Sequence, residues 1–122
     1  MNSARKNEGF MSTNDAILRF IGLAMRAGKV VSGFDMVSSS LRRGEVKLLI
    51  IAEDISRNTL DKLLDAVAAS KGESPDAFRF ANSFDLGNAI GKPSRAILAI
   101  IDDGFAGKLS TMLSELDVME DK

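Results

Sequence analysis

The residues best suited to recognition chemistry lie in residues 22–54, GLAMRAGKVVSGFDMVSSSLRRGEVKLLIIAED. At the centre of this stretch a Ser32-Gly33 step opens a helix. The start of a helix carries unpaired amides and the positive end of the dipole, which together favour phosphate oxygens. Gly33 has no side chain to hold a ligand's backbone away. Asp35, Met36 and Ser39 follow on the first turns, and Arg42-Arg43 precede the Gly44 exit. A second cationic segment, Lys92-Pro93-Ser94-Arg95, leads into a later apolar run. Two apolar runs end in carboxylates, Glu53-Asp54 and Asp102-Asp103. Open α/β sheets often hold ligands at strand ends, and four carboxylates meeting there would suit Mg²⁺.

The chain has neither histidine nor cysteine. Zinc would have only carboxylates left, and nucleophilic catalysis by Cys or through a His base has no residues to use. The phosphate-cradling patterns GxGxxG and GxxxxGK[ST] are also absent. No enzyme activity and no cofactor are expected. With 122 residues, 45% of them hydrophobic, the chain reads as one domain. A domain of that size buries roughly two-thirds of its unfolded surface. No apolar run approaches the roughly 20 residues needed to span a bilayer, and the polar N-terminus has no secretory apolar core. A cytoplasmic protein without a membrane partner is expected. A net charge of −1 argues against strongly electrostatic, non-specific nucleic-acid binding, so any such contact must be local.

The elements follow from periodicity. Residues 1–12 read as a flexible lead-in, 13–117 as the domain and 118–122 as an acidic tail. A first helix, capped at Thr13 or Asn14, carries Ile17, Phe20, Ile21 and Ala24 on one face and stops at Gly28. Residues 29–31 form a short strand. Ser32-Gly33-Phe34-Asp35 fits a capping box, in which Ser32 accepts an amide and Asp35 reaches back. The helix it opens turns Phe34, Val37 and Leu41 inward and Asp35, Ser39, Arg42 and Arg43 outward. Residues 46–52, VKLLIIA, lack alternation, as in a strand covered on both faces near the sheet centre. Ser56 caps a helix with Leu60, Leu63, Leu64, Val67 and Ala68 in register. Residues 78–81 alternate as a strand, Ser83 caps a short helix ending at Gly91, and residues 96–101 form another buried strand. Asp102 or Asp103 caps a final helix packed through Phe105, Leu109, Met112, Leu113 and Leu116. This order predicts an α/β fold: a three-layer α/β/α sandwich with a central four-stranded mixed sheet.

Three blocks, GLAMRAGKVVSG, RRGEVKLLIIAEDISRNT and LGNAIGKPSRAILAIID, occur in that order. Together they resemble the kink-turn-binding ribosomal protein family, relatives of archaeal large-subunit protein seven-Ae, in its bacterial YlxQ-type branch. The resemblance spans about residues 18–109. It implies a small α/β/α domain, acting as a monomer, that binds structured RNA of kink-turn or rRNA-like form in a ribosomal or other ribonucleoprotein setting. It also implies an RNA-binding site made of Gly33, Phe34, Asp35, Met36, Ser39, Arg42 and Arg43. Lys92 and Arg95 flank a loop that in the family lies beside the same RNA. The family's helix opens with Gly, a small residue, Asn, then Glu or Gln, with a Lys three positions later. Here those positions hold Gly33, Phe34, Asp35, Met36 and Ser39. The amide donor, the polar reader and the cation are all replaced, and an ionised Asp35 cannot donate a hydrogen bond.

Each of these residues also has a plain structural reading. A capping box accounts for Asp35 and core packing for Phe34. Arg42 and Arg43 suit the negative end of a helix dipole. Lys92 and Arg95 fit a solvated loop, and Glu53-Asp54 a structural turn ahead of Ser56. Two functions therefore stand side by side: a ribosome-associated RNA-binding protein, and a protein-interaction or regulatory module that keeps the fold with a degenerate RNA site.

Overall fold

Two apolar runs without polar alternation become the inner strands of the sheet. In this computed structural model, which describes residues 12–120, the strands are β1 (Val30–Ser32), β2 (Leu48–Ile51), β3 (Asp76–Arg79) and β4 (Ile97–Ile100). Their order is β1-β4-β2-β3; β4 runs antiparallel to both neighbours, and β3 runs parallel to β2. Every residue of β2 and β4 is buried. Successive side chains go to opposite faces: Leu48, Ile50, Leu98 and Ile100 join one core, and Leu49, Ile51, Ile97 and Ala99 the other. Two apolar faces leave no position for polar alternation.

Among the described residues five helices cover the sheet: α1 (Thr13–Arg26), α2 (Phe34–Arg42), α3 (Arg57–Ala68), α4 (Ser83–Ala89) and α5 (Asp103–Glu120). On one face α1, α4 and α5 pack through Ile17, Ile21, Leu86, Ile90, Leu109 and Leu113. On the other, α2 and α3 pack through Val37, Leu41 and Leu63. This is the expected three-layer sandwich with a mixed four-stranded sheet. Among the described residues no helix is long and apolar enough to cross a membrane. The expected lead-in, apart from Ser12, and the last two residues of the expected acidic tail lie outside the described residues. The boundary expected at 117 falls within α5.

Several element ends differ from the periodicity reading. Ser12, not Thr13 or Asn14, caps α1, accepting from the Asp15 amide at 3.1 Å. Asn82, not Ser83, caps α4, accepting from the Asp85 amide at 2.8 Å. β3 begins at Asp76 because its register is set by β2, Leu48 opposite Asp76, and it ends before Ala81, whose φ of 62° breaks extension. The inward alternation of Phe78 and Phe80 holds. Of the α3 stripe only Leu63 is fully buried, while Leu64 is 55% exposed and Ala68 faces solvent. Leu64 lies about 100° around the helix from Leu63, outside the narrow strip that meets the core. Burying a leucine stabilises by roughly 1.5–3 kcal/mol, so Leu63 anchors α3.

The segment ahead of β4 is clamped to α4 at Gly87. A Cβ there would lie 1.9 Å from the Pro93 carbonyl oxygen. Nothing lies within 4 Å of a Cβ at Gly107, in the middle of α5. Gly87→Ala is therefore expected to lower stability by about 1–3 kcal/mol or more through overpacking. Gly107→Ala should raise it by about 0.5–1 kcal/mol. Urea unfolding midpoints of the two variants, moving in opposite directions from the parent, check both.

Candidate functional site

Because β4 is antiparallel to its neighbours, its N-terminal end lies level with the C-terminal ends of β1, β2 and β3. Four turns meet at that edge. The Gly33 amide donates to the Ile97 carbonyl at 3.0 Å, Ala52 to Ala96 at 2.8 Å, Glu53 to Ala81 at 2.8 Å and Arg95 to Ser83 at 2.9 Å. Side chains extend the cross-linking. The Asp54 carboxylate accepts from the Ser83 amide and hydroxyl, both at 2.9 Å, and Arg95 Nε donates to Ser32 Oγ at 3.3 Å. The result is a continuous rim from Ser32 through Arg95 and Ser83 to Asp54.

At this rim α2 starts without a side-chain cap. The expected Ser32–Asp35 capping box does not form. Ser32 is the last residue of β1, paired with Leu98, and its oxygen is taken by Arg95. Gly33 takes the N-cap position at φ 85° and ψ 155°, a conformation that residues with a Cβ avoid. The first intrahelical bond runs from the Val37 amide to the Gly33 carbonyl at 3.0 Å. The amides of Phe34, Asp35 and Met36 thus precede the helical ladder and have no partner within it. Asp35 and Met36 are exposed, Met36 at 57%. Phe34 is half-buried against the core under α2, as its face of the helix requires, and Lys62 Nζ of α3 lies 5.9 Å over its ring.

The other expected site residues divide. Arg95 lies on the rim, its NH1 donating to the Ser94 carbonyl at 3.0 Å, and Lys92 is exposed on the same loop. Ser39 is half-buried one turn along α2, and its oxygen accepts from Arg43 NH1 at 2.6 Å. Arg43 binds Glu45 through Nε at 2.9 Å and NH2 at 3.1 Å. That hydrogen bonding, helped by the opposite charge, raises the Arg43 pKa and lowers that of Glu45. Arg42 donates to Ser38 Oγ at 3.1 Å. Both arginines stand at the far end of a nine-residue helix, about 13 Å from its start. The structure thus gathers Gly33, Phe34, Asp35, Met36 and Arg95 at one edge, has Lys92 exposed on the loop that leads to it, and leaves Arg42 and Arg43 outside it. Sequence reasoning missed two positions at this edge, Ser32 as acceptor for Arg95 and Lys62 beside Phe34. Both depend on pairings between segments distant in the chain, for which local periodicity carries no signal.

The carboxylates do not meet. Glu53 and Asp54 follow β2 at the rim, whereas Asp102 and Asp103 follow β4 at the opposite end, since β2 and β4 are antiparallel. Asp102 caps α5 by accepting from the Phe105 amide at 2.9 Å, and Asp103 lies 4.0 Å from Lys47 Nζ. Among the described residues no group of three or more His, Cys, Asp or Glu side chains could hold a metal ion.

Fold and rim together define a small α/β/α domain with an exposed edge of backbone amides at the start of its second helix. The pattern of the Ribosomal protein L7Ae/L30e/S12e/Gadd45 family matches residues 15–110, and the chain belongs to that family. It is 41% identical over 98 residues to the RNA-binding protein YlxQ of Bacillus subtilis (strain 168), covering 76% of this chain and 90% of the relative. It is 33% identical over 87 residues to the large ribosomal subunit protein eL8 of Thermoplasma volcanium, covering 71% and 70%. A solved structure of a protein of unknown function from Bacillus halodurans C superposes with a TM-score of 0.71 at 32% identity, covering 80% of this chain and 96% of that one.

Asp54 ties the β2 end to the start of α4. Its pKa is lowered, first by the Ser83 amide and then by the Ser83 hydroxyl. A depressed folded-state pKa contributes stability that is complete above the unfolded value, about 3.9, and is lost as pH falls through the folded value. Asp54→Ala is expected to be less stable than the parent at pH 6. The gap in urea midpoint should close as the pH is taken below 4, and a gap constant with pH would contradict the contact.

Proposed function

We propose that this chain is a cytoplasmic, ribosome-associated protein that binds structured RNA, of kink-turn or rRNA-like form, as a monomer and without a cofactor or catalytic step. The observation that carries the reading is the uncapped start of α2 next to Arg95, in a chain whose family includes proteins named for RNA binding and for the large ribosomal subunit. Free amides at a helix start stabilise phosphate oxygens, and Gly33 lets a sugar-phosphate backbone approach. Arg95 spends two N–H donors on Ser32 and Ser94 and retains others for phosphate. Lys92 adds a flexible charge on the same loop.

The first-turn side chains set what kind of RNA is accepted. Asp35, ionised, accepts hydrogen bonds only, so it suits an exocyclic base amine and disfavours a phosphate beside it. Met36 offers a polarizable, adaptable surface to an unstacked base. Ser39 lies one turn further in, and Arg42 and Arg43, at the far end of α2, stay outside the contact. Regular duplex RNA hides its base edges in a deep, narrow groove, whereas a kinked or looped element exposes them.

The test is equilibrium binding to a kink-turn RNA and to an unkinked duplex of equal length. Saturable preference for the kinked RNA is expected, with a shallow salt slope because few phosphates are neutralised. Arg95→Ala should weaken that binding about tenfold, the scale of one or two charge-assisted contacts. Equal affinity for both RNAs at low salt would refute the proposal. The pinning of Arg43 by Glu45 and the acidic Asp35 at the helix start favour the second reading, a protein-interaction module on the same fold. A protein partner that co-purifies after nuclease treatment, from a chain without kink preference, is its signature.

A further inference from the structure

The cations at the far end of α2 are already engaged. Arg42 donates to Ser38, and Arg43 is held by Glu45 in a bidentate pair and bonded again to Ser39. Moving Arg43 onto a phosphate would first break two charge-assisted bonds. Lys62 is in a different position. It is exposed, and the two ion pairs found among the described residues, Arg43–Glu45 and Lys47–Asp103, do not involve it. It belongs to α3, which lies beside α2 in the same layer, and its Nζ stands 5.9 Å over the ring of Phe34, the first residue of α2.

We infer that Lys62 is a further phosphate-contacting cation of this rim, in addition to Arg95, positioned there by the face of the Phe34 ring. The inference rests on the RNA-binding reading above and names a residue that sequence motifs at α2 do not contain. An aromatic face attracts an ammonium electrostatically but accepts none of its three N–H donors in the way a carboxylate would. The charge is thus held 5.9 Å from the ring of the first residue of α2 while its hydrogen-bonding capacity stays open to a phosphate oxygen. Phe34 serves two purposes: it packs on the core under α2 and orients the lysine. A lysine is a compact point charge, so this contact adds affinity and salt dependence without choosing among bases.

The experiment measures binding of the full chain to a kink-turn RNA at several salt concentrations, with an unkinked duplex alongside. Removing one phosphate contact reduces the slope of log affinity against log salt by about one and weakens binding roughly tenfold at 0.1 M salt. Lys62→Gln is expected to do this for RNAs of different sequence that share the kink. Lys62→Arg should keep most of the affinity. Phe34→Leu, which preserves an apolar side chain, should lose about two- to fivefold, the scale of an exposed cation–π contact. Arg43→Gln should leave affinity and slope unchanged. If the parent prefers the kinked RNA and Lys62→Gln alters neither affinity nor slope, the assignment of Lys62 is overturned while RNA binding stands. If the parent shows no kink preference, the underlying reading fails, and the assignment with it. Unchanged urea midpoints for the Lys62 variants exclude unfolding as the cause of any loss.

Discussion

The pairing of β4 between β1 and β2, antiparallel to both, is the constraint on which the rest of the structure depends. It buries both faces of the two inner strands and so requires a helical layer on each side. It also decides which loops can meet. Reversing β4 relative to β1 and β2 brings the segment before it, with Lys92 and Arg95, to the edge where β1 delivers α2 and β2 delivers Glu53 and Asp54. The segment after it, with Asp102 and Asp103, goes to the opposite end. One antiparallel insertion therefore assembles a mixed-charge rim and separates the carboxylates that would otherwise have suggested a metal site.

The architecture was largely legible in residue patterns, because it is written in burial. VKLLIIA and AILAII could be doubly covered strands only if helices lie on both faces, and the stripes of α1 and α5 supplied one such layer. Strand order was not legible, since nothing local in residues 97–100 distinguishes pairing with β1 from pairing with β3. The caps show the same boundary between local and tertiary information. Ser56 caps α3 as its motif indicates, accepting from the Thr59 amide at 3.1 Å. Ser32 fits a capping motif equally well and does not cap, because strand pairing carries it one residue too far along β1 and Arg95 claims its oxygen. A motif scores the chemistry available at a position, and only the fold determines which partner reaches it first.

The candidate site follows the same division. Sequence pointed to Gly33 as a place of close approach and to Ser32 as the cap, whereas Gly33 itself takes the N-cap position with a φ of 85°. Arg42 and Arg43 looked equally eligible, being basic and on the outer face of the same helix. The structure separates them from the rim by the length of the helix and commits Arg43 to Glu45. The reverse case is Lys62. It carries no motif, and only the packing of α3 beside α2 puts it over Phe34.

A chain with net charge −1 cannot rely on a general positive field to gather a polyanion, so recognition on the RNA-binding reading has to be concentrated at a few groups. Backbone amides serve this purpose well. They add no formal charge to offset, they are fixed in direction by the helix, and among substitutions only proline removes them. The Ser32–Arg95–Ser83–Asp54 chain of hydrogen bonds then acts as the support, holding the α2 start and the loop before β4 in a constant relation. Rigid donors at fixed spacing match one backbone path and not others, and a kinked strand differs from a regular duplex in just that path. On the RNA-binding reading, discrimination by shape is the counterpart of this scarcity of charge.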